Sequence, residues 1–146
     1  MLMNTNGTKN INNQISEHYC SFEVSKLLKE KGFNIGSEHY YDSELPYHGD
    51  LFYNYKDDFP TLYERPTHAL AIEWIRVNFG IQISADGDCY GNEWYSKLSV
   101  VSEDLWNNLD MRHEVVSATK KFNNIHKTLD EATEAALLYT IQNLIS

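Results

Sequence analysis

The stretch from Ile81 to Ser102 constrains the fold most strongly. Ile81-Gln82-Ile83-Ser84 alternates apolar and polar residues, the pattern of a strand with one face buried and one face wet. Ala85 to Asn92 follows, and its density of Asp, Gly and Asn predicts a turn. Glu93 to Ser102 then reads as the returning strand, through Trp94, Lys97, Leu98 and Val100. A two-stranded ribbon is only marginally stable alone in water, so its apolar face needs a covering layer.

Three helices are predicted to supply that cover. Ser21 is an N-cap for a helix whose stripe is Phe22, Val24, Leu27 and Leu28. Gly32 closes it in the left-handed C′ position, with Phe33 placed to pack back on Leu28. A second helix runs from about Thr67 to Phe79, between Pro66 and Gly80, with Leu70, Ala71, Trp74 and Ile75 at core spacing. The third opens on a capping box, Thr128-Leu-Asp-Glu131, and presents Leu137, Leu138, Ile141, Leu144 and Ile145 on one face. Two aromatic runs, His39–Asp42 and Leu51–Tyr55, flank Pro46, Gly49 and Asp50 and predict a hairpin with a wide loop. Lys56 to Glu64 reads as irregular, and residues 103–127 as mixed. The fold class is α+β: a small antiparallel sheet of about four strands packed by three helices, in the order α-β-β-α-β-β-(mixed)-α.

A length of 146 residues, 42% of them hydrophobic, suits one globular domain. Residues 1–15 are polar and Asn-rich and read as a flexible arm, leaving 16–146 as a single domain. The N-terminus has no apolar core after a basic start, so it does not read as a secretory signal, and the expected location is the cytoplasm. No apolar run approaches the roughly 20 residues that a membrane span needs. Cys20 and Cys89 lack CxxC spacing and read as free, structural thiols. A helix N-terminus beside Cys20 would by itself lower its pKa.

The chemistry-bearing motifs are few. No two histidines, and no His with a Cys, stand at zinc-ligand spacing. His48-Gly-Asp50 and Asp86-Gly-Asp88 hint at metal ligands, but Asp-Gly-Asp is ordinary turn chemistry. Neither GxxxxGK nor GxGxxG occurs. Asp57-Asp58 and Glu103-Asp104 are adjacent acids, which point apart and are usually solvated. The expectation is a protein without catalytic residues, metal or cofactor.

The net charge of −9 argues against broad binding to nucleic-acid phosphates. The most unusual segment is 38–64, with eight aromatic residues and seven acids against Lys56 alone. Tyr adds contact area at low entropic cost, and carboxylates beside it can meet Lys and Arg on a partner. On that reading the contact residues are Tyr40, Tyr41, Asp42, Glu44, Asp50, Tyr53, Tyr55, Asp57, Asp58 and Tyr63. The plainer reading is a half-buried hairpin with core aromatics and a solvated acidic face. A mildly basic run offers a possible nucleic-acid contact at Arg112, Lys120, Lys121 and Lys127. A further alternative, a small-molecule or nucleotide-binding protein or minor enzyme, would use a pocket beside Trp74, Trp94 and Cys89.

Three segments carry a resemblance: CSFEVSKLLKEKGF at 20–33, PTHALAIEWIR at 66–76 and TLDEATEAALLYTIQNLI at 128–145. Together they resemble a group of small proteins encoded by phages and prophages, for which no activity is established. The matched residues are caps and core stripes, so no functional residue carries over. The resemblance implies a context, the host bacterial cell, and a role: an accessory factor that binds and inhibits a defence effector, such as an anti-CRISPR acting on a CRISPR effector nuclease.

Overall fold

The computed structural model describes residues 18–36, 39–42, 48–50, 62–88, 93–121 and 126–145. The fold is α+β, with two antiparallel sheets. Helix α1 spans Phe22–Glu30, and strands β1 (His39–Asp42), β2 (His48–Asp50) and β3 (Leu62–Glu64) follow it. Helix α2 (His68–Phe79) leads into β4 (Ile81–Gly87) and β5 (Trp94–Val100). Helices α3 (Glu103–Asn107), α4 (Leu109–Lys121) and α5 (Leu129–Tyr139) complete the order, and α5 runs on into a π-helical turn at Thr140–Leu144.

The three expected helices form where their caps place them. The hydroxyls of Ser21, Thr67 and Thr128 accept from the backbone N–H of Val24, Leu70 and Glu131. Each satisfies one of the donors that a helix N-terminus leaves open. At the end of α1, Gly32 adopts φ +97°, Phe33 N–H donates to Leu28 O, and Gly32 N–H donates to Lys29 O. This double bond pattern is a Schellman closure, and it turns Phe33 inward onto Trp74, 5.4 Å between ring centroids. Gly80 ends α2 at φ +70°, where a Cβ would lie 2.3 Å from the Cβ of Ser102. Only glycine fits that approach.

Strand β4 pairs with β5 from Ile81↔Val100 to Gly87↔Trp94. Ile81, Ile83 and Leu98 are buried and pack with Val24, Leu28, Trp74, Ile75, Leu137 and Ile141 in one core. Full burial of a side chain such as Ile83 contributes about 1.5–3 kcal/mol. Ser96 is also buried, and its hydroxyl donates to Ala132 O, pinning α5 across β5. The smaller sheet has the order β2-β1-β3.

The structure departs from the sequence reading at several points: Gly49 and Asp50, expected in a wide loop, lie in β2 opposite Tyr40 and His39, and Ala85–Gly87, expected in a turn, extend β4. Residues 62–64, expected to be irregular, form β3 because β1 offers them a partner edge at Tyr40↔Glu64 and Asp42↔Leu62. The strands divide into two sheets instead of one. The mixed segment holds two helices, α3 and α4, and Asn108 between them caps α4 by accepting from Asp110 and Met111 N–H. The expected second aromatic strand, Leu51–Tyr55, lies outside the described residues. Among the described residues no helix is long and apolar enough to cross a membrane.

Candidate functional site

Of the acidic-aromatic segment, Tyr40, Tyr41 and Asp42 lie on β1, Asp50 on β2 and Tyr63 on β3. Glu44, Tyr53, Tyr55, Asp57 and Asp58 lie outside the described residues. Two of its rings face the chain's own body. Phe22 on α1 meets Tyr41 at 5.7 Å and Tyr63 at 5.6 Å, both edge to face. The Tyr41 hydroxyl donates to Cys20 O at 2.7 Å and accepts from Arg65 Nε. Lys29 Nζ lies 4.7 Å from the centre of the Tyr63 ring, and Arg65 covers Tyr19 at 4.3 Å. Both are cation–π contacts made within the chain.

Four side chains that the sequence reading did not bring together meet near the starts of α1 and α2 and along α5, joined by the Ser21 backbone N–H. The His68 Nε2 of α2 lies 2.6 Å from Glu134 Oε2 of α5. The other Glu134 oxygen accepts the Ser21 backbone N–H at 2.8 Å. Burial pushes the Glu134 carboxyl up, but hydrogen bonds from His68 and Ser21, with the charge of His68, outweigh it and hold the group below its ordinary range. One helical turn away on α5, Asp130 Oδ1 lies 2.7 Å from His18 Nδ1 and 3.6 Å from His68 Nδ1. That oxygen is buried and accepts no well-formed hydrogen bond despite the short approach. The rings of His18 and His68 are nearly parallel, 17° apart at 6.4 Å.

This cluster borders a cavity of about 370 Å³. Its apolar wall includes Ile72, Ala85 and Leu129, and its polar end is His18, His68 and Asp130. Among the described residues, no group of three or more His, Cys, Asp or Glu is placed to hold a metal ion. Cys20, next to the cluster, is fully buried. Burial pushes its thiol far up, Glu134 adds to this, and Arg65 opposes it only in part. The helix N-terminus beside Cys20 therefore does not produce a thiolate. The cavity is not the one expected beside Trp74, Trp94 and Cys89: Trp74 is in the core, and Cys89 lies outside the described residues. The i, i+4 spacing of Asp130 and Glu134 was a visible signal, because it sets two carboxylates on one helix face. Nothing local announced their histidine partners.

A different surface forms where α2 ends and α3 begins. Val77, Phe79, Val101 and Leu105 line an open hollow of about 650 Å³, with Arg76 and Asp104 beside them. Just beyond, Trp106 is 55% exposed and Leu109 58%. Glu103, Asp104, Asp110 and Glu114 are exposed on the same two helices. The Arg112 guanidinium lies 5.1 Å from the Trp106 ring centre, so this candidate for nucleic-acid contact is engaged inside the chain. Lys120 and Lys121 lie on α4, and Lys127 is exposed just ahead of α5. No family model, no curated protein and no solved structure matches this chain.

Proposed function

We propose that the chain is a non-catalytic binding protein that docks on a basic surface of a protein partner. The observation that carries the reading is the helix pair α3 and α4, which exposes Trp106 and Leu109 along with Glu103, Asp104, Asp110 and Glu114, with Arg112 against the Trp106 ring. An exposed Trp beside other apolar side chains is the composition of an interface hot spot. The exposed carboxylates of these two helices, within a chain of net charge −9, favour Lys and Arg opposite and speed encounter. The buried, protonated Cys20 also supports a binding role over a thiol enzyme. Of segment 38–64, the described rings Tyr41 and Tyr63 are already held by α1. The narrower identity, a phage-encoded anti-CRISPR acting on a CRISPR effector nuclease in the host cell, rests on the resemblance of residues 20–33, 66–76 and 128–145 alone.

The test is binding of purified CRISPR effector nucleases, measured against salt, with three variants. Trp106→Ala is expected to weaken binding about thirtyfold, as a hot-spot truncation does. The pair Glu103→Lys and Asp104→Lys should slow association several-fold and flatten its salt dependence. The pair Asp57→Lys and Asp58→Lys reports on segment 38–64. Binding that ignores both salt and all three changes refutes docking through charge. Absence of binding to any nuclease removes the narrower identity.

A further inference from the structure

The cavity between α2 and α5 is independent of the docking face and has its own chemistry. It is large enough for a small ligand, at about 370 Å³. Binding sites for small molecules begin near this size, with apolar walls and a few fixed polar groups. Here the wall is Ile72, Ala85 and Leu129, and the polar end is two imidazoles and one carboxylate. Among the described lining residues, Asp130 is the only Asp, Glu, Lys or Arg. Half of its side chain remains exposed, while its buried Oδ1 lacks a well-formed hydrogen bond.

Two features could favour an anion instead. Helices α2 and α5 both begin at this cavity, and helix N-termini attract negative charge. Both are already answered from within the chain. Asp130 and Glu131 occupy the first turn of α5, and Glu134 Oε2 reaches His68 at the first turn of α2. The Thr67 and Thr128 hydroxyls take one N–H each. An added anion would meet the Asp130 carboxylate at close range, and an added cation would be paired with it.

We propose that this cavity binds a small organic ammonium ion, its charged head on Asp130 and its apolar body against Ile72, Ala85 and Leu129. The parallel faces of His18 and His68 form the remaining polar wall. The net charge of −9 also raises the concentration of such a cation near the surface.

The experiment is calorimetric titration of the full chain with 2-phenylethylamine, 3-phenylpropionate and 2-phenylethanol, three probes of matched body and different head. The amine is expected to bind at least about tenfold more tightly than the other two, one pairing interaction in size. Asp130→Asn should remove about that tenfold, whereas Glu131→Gln, one residue on and outside the cavity lining, should leave binding within about twofold. Ala85→Leu fills the apolar end and should abolish binding without touching a charge, so the proposal stays testable if the Asp130 variant folds poorly. No amine binding, equal binding of amine and acid, or amine binding that survives both Asp130→Asn and Ala85→Leu overturns it.

Discussion

Glu134→Ala is the single change that loads the interior most directly. The carboxylate joins three elements, taking the Ser21 N–H at the start of α1 at 2.8 Å and meeting His68 Nε2 at the start of α2 at 2.6 Å. Truncation leaves both groups without their acceptor in a partly buried place. A hydrogen bond to a charged group contributes about 1.5–3 kcal/mol, and with 27% of the side chain exposed, water replaces part of it. The expected loss for the pair is therefore about 2–4 kcal/mol. At this chain length each kcal/mol moves Tm by roughly 3 °C, so thermal unfolding should shift down by about 6–12 °C. The pH dependence fixes the sign. A carboxyl held below its ordinary value of 4.5 stabilises fully above that value. The contribution disappears as the pH falls through the lowered pKa, when Glu134 takes up a proton in the folded state. The gap in Tm between the native chain and Glu134→Ala should be full near neutrality and should shrink on acidification below 4.5. Circular dichroism melts across that range read it. An unchanged Tm, or a gap that widens in acid, refutes the assignment.

Four other outcomes follow from local geometry. Gly80→Ala must place a Cβ 2.3 Å from the Ser102 Cβ at positive φ, and should cost at least about 2 kcal/mol in chemical denaturation. Gly32→Ala, with open space around it at φ +97°, should cost only about 1 kcal/mol of backbone strain. Cys20 is fully buried and its thiol is pushed far up, so peptide mapping after iodoacetamide should find it unmodified in the folded protein and alkylated in denaturant. Trp106→Ala removes a ring that is 55% exposed, so stability should stay within about 1 kcal/mol, a loss small enough for binding assays to be read cleanly.

What was legible in the sequence was what the chain decides over a few residues. The caps at Ser21, Thr67 and Thr128 each act on an N–H three positions on, and all three helices start there. Gly32 and Gly80 end helices because only they reach positive φ cheaply, again a local matter. Ile81 and Ile83 show their burial by alternation alone. Strand β3 was not legible, because Leu62-Tyr63-Glu64 carries no alternation long enough to count. It is a strand only because β1 lies beside it. Asn108 marks the break between α3 and α4, but Asn also suits turns and bends, and its role as a cap appears only once Asp110 and Met111 N–H point at it.

The cluster at the cavity lies further from any local rule. Glu134 is 66 residues from His68 and 113 from Ser21, so no window of sequence contains the pairing. Packing of α1, α2 and α5 against one core brings these groups together, and the part-buried Ser21 N–H and His68 imidazole then require an acceptor. Glu134 meets that requirement, and its lowered pKa reflects how fully it is committed. Asp130 shares the helix face but not the commitment, since half of its side chain remains open and its buried oxygen lacks a well-formed bond. Two carboxylates four residues apart thus divide between holding the fold and facing the cavity. Changing Glu134 should move stability first, whereas changing Asp130 should move ligand preference first, and the two effects are separable by comparing those variants in melting and in titration.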